Sequence, residues 1–242
     1  MIRVGTCGFA VPQSRAVREL SVVEIQRTFY RTLAVETARK WRERAPPAFE
    51  FAVKASQFIT HDETSPTYRR SVLPLPVAKN RYGFFRPTEE VRMGWENTRS
   101  IAEVLRATAI LFQCPVGFPP SPENVRNVYR FFESIETPAA KVWEPRGPWA
   151  SHIVEKLCED LGLVHCVDPF AGEPATSGLA YFRLHGSPPG PRNYDYTYSD
   201  ADLDRLFATC REYDDACVLF NNVTKHMDAV RFLEKIAAAK GR

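Results

Sequence analysis

Ile2-Arg3-Val4-Gly5-Thr6-Cys7-Gly8-Phe9 opens the chain as an apolar run that breaks into a turn. An apolar run, a turn signal and then an amphipathic stretch read as the start of an α/β fold. Two architectures compete for such a beginning. A doubly wound open sheet usually carries a glycine-rich phosphate loop after its first strand, spelled G-x-G-x-x-G or G-K-[ST]. The turn at Gly5 to Phe9 has neither spelling, which leaves a closed barrel as the reading to test along the rest of the chain.

Seven further apolar runs follow, at 22–26, 49–54, 109–113, 141–146, 163–168, 179–185 and 217–221. Amphipathic patterns lie between them, among others at 65–73, 89–106, 122–134, 151–161 and 200–213. A last helix at 225–239 is closed by Lys240-Gly241, a basic final turn followed by glycine. Eight strands alternating with helices over about 250 residues is the arithmetic of a TIM-like (β/α)8 barrel. The whole chain, 1–242, is expected to be one α/β barrel domain. Two connections depart from an even repeat. The first leaves room for only one or two helical turns around 14–20. The one between strands three and four, 55–108, is a long Pro-rich insertion holding Pro66, Pro74, Pro76, Pro87 and the aromatic group Tyr82-Gly83-Phe84-Phe85. It reads either as a lid or as a surface embellishment packing its own aromatics.

Composition bounds the function. The 242 residues are 44% hydrophobic and 25% charged, an ordinary globular profile. There is no uninterrupted apolar run of about 18 residues, and the N-terminus lacks a charged region followed by an apolar stretch. A cytoplasmic protein with no membrane partner is expected. A net charge of +3 is too small for an obligate nucleic-acid coat. Arg outnumbers Lys 24 to 8 and Pro numbers 19, a bias that thermophilic adaptation or genome composition would each produce. The six cysteines show no C-x-x-C pair, so six buried thiols are expected, with a Cys210–Cys217 disulfide as the alternative.

In barrels of this kind the active site lies at the C-terminal strand ends. Side chains alternate in phase there, so the last polar residues on the inward phase are the candidates. They are Glu24 and Gln26 after strand two, Lys54 after three, Gln113 after four, Glu144 and Arg146 after five, Asp168 after six, Arg183 and His185 after seven, and Asn221 after eight. Glu144, Lys54 and His185 are the groups that burial would bring toward neutral pKa for acid–base work, with Glu24 and Asp168 orienting them. Arg183, Gly186 and Asn221 mark the region where barrels often hold phosphate. Arg146, Gln113, Gln26 and Tyr194 complete the substrate-binding set. His61, just beyond strand three, points into the site or serves as a loop hydrogen-bonder. Cys7 reads as a small buried residue, the alternative being a nucleophile at the mouth of strand one with His185 as its base. Tyr194, Tyr196 and Tyr198 alternate and either stack on rings or pack. No cofactor is expected. Glu24, Glu144, Asp168 and His185 are the side chains that would hold Mg²⁺ or Mn²⁺, although no H-x-x-E or H-E-x-x-H spacing stands behind a metal.

Several of these motifs resemble a known family. They are Gly5-Thr6-Cys7-Gly8-Phe9, Val23-Glu24-Ile25-Gln26-Arg27-Thr28-Phe29-Tyr30, Phe51-Ala52-Val53-Lys54-Ala55, Trp143-Glu144-Pro145-Arg146, Tyr181-Phe182-Arg183-Leu184-His185-Gly186 and Phe220-Asn221-Asn222. Together they are similar to the YecE-like family, domain of unknown function 72, and more closely to its shorter archaeal-type branch. The resemblance implies a TIM-like barrel but no established reaction. It also implies a likeness of fold to the endonuclease IV and xylose isomerase barrels, whose histidine-rich metal cluster this chain of five His lacks. Phe9 and Gln26 stand where the commoner bacterial pattern of that family usually has Trp and Asn.

The expected function is therefore an enzyme acting on a small phosphorylated or otherwise anionic molecule by acid–base chemistry. Hydrolase, isomerase and lyase reactions all remain open. The alternative is a nucleic-acid-binding or processing protein, its arginines on phosphates and its exposed aromatics on bases.

Overall fold

The computed structural model describes residues 1–71, 79–187 and 193–240. Its strands are β1 (Ile2–Cys7), β2 (Val22–Ile25), β3 (Glu50–Lys54), β4 (Ala109–Gln113), β5 (Ala140–Glu144), β6 (Val164–Val167), β7 (Leu179–Leu184) and β8 (Asp215–Phe220). They close into one barrel in chain order. The connecting helices are α1 (Gln13–Glu19), α2 (Arg27–Tyr30), α3 (Val35–Glu43), α4 (Gln57–Thr60), α5 (Glu89–Leu105), α6 (Pro122–Ser134), α7 (Ser151–Leu161), α8 (Asp200–Cys210) and α9 (Lys225–Lys240). This is the (β/α)8 barrel expected from the periodicity. No helix among the described residues is long and apolar enough to cross a membrane.

Contacts group the chain into two compact units. One comprises Met1–Glu24, Arg44–Glu50 and Val164–Arg242; the other comprises Ile25–Glu43 and Phe51–Leu163. In the first, β1 lies parallel between β2 and β8, and β8 continues to β7 and β6. The register aligns Cys7 with Glu24, Arg3 with Cys217, and Tyr181 with Cys217. Paired residues share a face, so alternation collects Cys7, Glu24, Tyr181 and Arg183 on one face of these strands. Val4, Val23, Ala180, Phe182, Val218 and Phe220 fall on the other and are buried. Gly5 is required at its crossing, because a Cβ there would stand 1.8 Å from the Val22 carbonyl oxygen.

In the second unit β4 lies parallel between β3 and β5, with Lys54 opposite Leu111 and Gln113 opposite Glu144. That register puts Lys54, Gln113 and Glu144 on one face. The opposite face of β4 packs an aromatic layer in which Phe112 meets Phe85, Trp95, Phe131 and Phe132 at centroid distances of 5.0–6.4 Å. Local chemistry sets the helix starts. Thr88 caps α5, Ser121 caps α6 with Pro122 at its first position, and Ser199 forms a capping box with Asp202 at α8.

The structure revises several local expectations. Strand two stops at Ile25. Gln26 has a helical backbone (φ −87°, ψ −22°) as the residue before α2, so it does not continue the alternation of Glu24. The helix expected at 65–73 is a 3₁₀ turn, Pro66–Arg70, within its described part; Pro74 and Pro76 lie outside the described residues. All six cysteines are buried free thiols, so Cys210 and Cys217 form no disulfide. Tyr82 and Phe85 of the long connection are buried, Tyr82 against Phe58 and Tyr68, and Phe85 against Phe118, Phe131 and Phe132. Gly83-Phe84-Phe85 is a left-handed turn whose N–H groups donate to the carbonyls of Phe58, Thr60 and Ile59. It thereby satisfies the end of α4, which would otherwise leave those acceptors buried and unpaired.

Candidate functional site

Two groups of titratable side chains stand at C-terminal strand ends, one within each unit. In the second unit the Lys54 ammonium donates to Gln113 Oε1 at 2.7 Å and lies 4.0 Å from the centre of the Phe29 ring. A cation over a ring face is held in orientation without neutralisation. The Thr28 hydroxyl fixes the end of β3 by donating to the Lys54 carbonyl at 2.6 Å. Arg146, two residues past Glu144, folds back to it with Nε at 2.7 Å and Nη2 at 2.5 Å from Oε1. Glu144 is nearly buried while Arg146 keeps part of its guanidinium toward solvent.

His61 belongs to the same group. It follows α4, is 4% exposed, sets Nδ1 2.8 Å from the Thr60 hydroxyl and meets Phe29 edge-on at 4.9 Å. Burial, then the positive charges of Lys54 and Arg146, push its pKa down to about 3 against an opposing pull from Glu144. It is a neutral imidazole at physiological pH. The residue read from sequence as either site or loop is a buried member of this cluster.

In the first unit Arg183 Nη2 and Glu24 Oε1 form an ion pair at 3.1 Å, and the Tyr181 hydroxyl donates to Glu24 Oε2 at 2.8 Å. The Lys225 ammonium donates to the Cys7 carbonyl at 2.6 Å; burial lowers its pKa. Burial likewise drives the Cys7 thiol up to about 12, with Arg183 opposing, so Cys7 is no thiolate nucleophile. Asp168 accepts from the His185 backbone N–H at 2.8 Å and lies 3.3 Å from Nδ1, an arrangement that orients the ring. The exposed Tyr194 ring stands edge-on to His185 at 5.7 Å.

Two positions read as anion binders are engaged within the protein. Arg183 is buried against Glu24. The Gly186 N–H, expected to be open to an anion, donates to the buried Tyr198 hydroxyl at 2.8 Å. Asn221 is half-buried, its N–H donating to the Leu184 carbonyl. Its neighbour Asn222 is the buried one, donating to Asp228 at 2.6 Å and to the Tyr196 carbonyl at 2.7 Å. Tyr181, Lys225 and Asn222 were not anticipated, whereas Tyr198, read as a stacking or a packing ring, is a buried ring packed on Phe220. Tyr181 was legible, since it is two residues from Arg183 on the same strand. The other two sit in a loop and at a helix start, where no alternation marks direction. Among the described residues no three His, Cys, Asp or Glu side chains stand together so as to hold a metal ion; Glu24, Glu144, Asp168 and His185 form no such set there.

Comparison with solved structures agrees with the fold. A DUF72 family protein from Enterococcus faecalis V583 superposes with a TM-score of 0.74 at 18% identity, covering 98% of each chain. A DUF72 family protein from Thermotoga maritima MSB8 gives 0.69 at 22% identity, covering 98% of this chain and 99% of that one. Endonuclease IV from Thermus thermophilus gives 0.56 at 13% identity, covering 96% of this chain and 99% of that one. At these identities the likeness is one of fold. No curated protein matches the chain. Residues 14–241 match the protein family of unknown function DUF72, and the chain belongs to that family.

Proposed function

We propose that this protein is an enzyme that binds a small anionic molecule, such as a phosphorylated metabolite, at the C-terminal ends of β3 to β5 and acts on it by acid–base chemistry. The observation that carries this reading is the grouping of Lys54, Glu144 and Arg146 around a histidine held neutral. Buried charges are poor stabilisers, and perturbed titrating groups cluster where chemistry is done. Lys54 and Arg146 anchor the anion in this reading. Glu144 exchanges the proton, and His61 supplies a hydrogen bond without adding charge. The anion falls to Lys54 and Arg146 rather than to Arg183 and Gly186, because Arg146 keeps part of its guanidinium toward solvent while Arg183 is buried in its ion pair and the Gly186 N–H donates to Tyr198. His185, oriented by Asp168, is a second acid–base group in its own unit. The brevity of α1 supports placement in the shorter branch of the family.

The test is a thermal-shift titration with inorganic phosphate and sugar phosphates in one arm, and intact and abasic oligonucleotides in the other. A ligand at 100 times its Kd adds about 2.7 kcal/mol, a rise of roughly 5–10 °C at this size. Stabilisation by small anions that is abolished in Lys54→Met and Arg146→Gln is the expected result. Stabilisation by oligonucleotides alone, falling steeply with salt, would replace this reading with a nucleic-acid one.

A further inference from the structure

Between α5 and the end of α6, within the second unit, lies a groove of about 500 Å³ that shares no residue with the Lys54 group. α5 packs chiefly against α3 and α4, and α6 against α7, so the seam between α5 and α6 is left part-open. Phe85, Val91, Trp95, Phe131 and Ile135, each nearly buried, form the apolar lining of the groove. The three rings make one layer, in which Phe131 meets Phe85 at 5.3 Å and Trp95 edge-on at 6.2 Å. Sites for small molecules have this size and this make-up, an apolar and aromatic lining with a few charged groups beside it.

The charges that line the groove do not cancel. Glu89 is taken by Arg92 through two hydrogen bonds, and Glu96 by Arg99. Arg86 donates through one Nη to the Tyr82 carbonyl and lies 4.7 Å from the centre of the Phe84 ring, with no carboxylate partner among the described residues. Arg130 is exposed and has no hydrogen bond or ion pair among the described residues. Two positive charges are therefore left uncompensated beside an aromatic lining. The charges select an anion, and the rings select an apolar body to carry it. A guanidinium fork matches a carboxylate through two parallel hydrogen bonds. Aromatic edges and faces take a further ring. A free phosphate would gain nothing from the rings, so the occupant that fits is amphipathic.

We propose that this groove is a binding site for an aromatic carboxylate. The ring packs on Trp95 and Phe131, and the carboxylate pairs with Arg130 in the positive field of Arg86. This goes beyond the reaction proposed above and does not depend on it, since the groove and the Lys54 group have no side chain in common.

Naphthaleneacetate, its uncharged amide naphthaleneacetamide, and acetate are the probes. They are titrated by calorimetry against the wild type, Arg130→Gln and Ser134→Trp, with Tm measured on each protein without ligand. Arg130 is exposed and unpaired, so Arg130→Gln folds with an unchanged Tm. The wild type is expected to bind naphthaleneacetate about tenfold more tightly than the amide, and acetate not measurably. In Arg130→Gln the affinity for naphthaleneacetate falls about tenfold while that for the amide stays, so the two bind alike. Ser134 lines the groove; the larger side chain of Ser134→Trp fills it and abolishes binding of both. A wild type that does not bind naphthaleneacetate, or that binds the amide as tightly, overturns the proposal. So does an Arg130→Gln variant that still prefers the acid, or a folded Ser134→Trp variant that binds as the wild type does.

Discussion

Arg183 and Glu24 meet at 3.1 Å with side chains 1% and 0% exposed, an ion pair removed from water and completed by the Tyr181 hydroxyl on the second carboxylate oxygen. Removing one member of such a pair leaves a buried charge uncompensated, at a cost of about 3–5 kcal/mol, whereas replacing both is far milder. Glu24→Leu and Arg183→Leu are each expected to lower stability by about that amount. The double variant should lose clearly less than the sum. Denaturant unfolding of the four proteins gives the cycle; additive losses would show that the pair is not coupled.

Gly83 and Gly162 are both left-handed, yet a side chain would meet different surroundings at each. A Cβ on Gly83 (φ +70°) would stand 2.1 Å from the His61 carbonyl carbon, while one on Gly162 (φ +61°) meets nothing within 4 Å. Gly162→Ala should therefore cost only its backbone strain, about 1 kcal/mol. Gly83→Ala must also displace the turn that caps α4, and is expected to exceed about 3 kcal/mol. Equal losses in chemical denaturation would mean that the close approach of Gly83 to His61 does not constrain the fold.

His61 makes stability depend on pH in the acid range. Its folded pKa of about 3 lies below the ordinary value of 6.5, so the unfolded chain binds the proton first as pH falls. Its contribution is complete above about 6.5 and is lost between there and about 3, with a slope approaching 1.4 kcal/mol per pH unit. A His61→Gln variant should show a shallower pH–stability curve across pH 4–6 than the wild type, measured by urea midpoints. Parallel curves would mean that His61 is not held neutral.

The thiols should be silent in the native state. All six are buried, and burial pushes Cys7, Cys158 and Cys210 up to about 12. Ellman's reagent at pH 8 is expected to report none in the native protein and six in denaturant. One fast-reacting thiol would identify a site open to solvent.

Much of the barrel was legible because periodicity is a local property. The strands Ile2–Cys7 and Ala109–Gln113 and the helices Pro122–Ser134 and Ser151–Leu161 begin and end where the pattern of apolar residues and caps places them. The helix Val35–Glu43 was passed over: its one buried residue, Ala38, leaves little apolar signal. At Gln26 the chain turns into α2 one residue before the apolar pattern ends, so alternation pointed a side chain along a strand that had already stopped.

The candidate site divides in the same way. Lys54, Gln113 and Glu144 share a face because parallel register fixes phase, and phase can be read from one-dimensional spacing. What each polar group is bonded to cannot be read so. The partner of the Gly186 N–H is a tyrosine twelve residues on, that of Arg183 a glutamate on a strand 159 positions earlier, and the side-chain amide of Gln57 has none among the described residues. The sequence by itself therefore determined the fold class, the strand phase and the chemical types present at the strand ends, since these depend on local propensity and periodicity. Only the tertiary structure decided which charges are already engaged, which histidine is neutral and which amide is left unmet, because burial and pairing arise between segments that meet only in the folded chain.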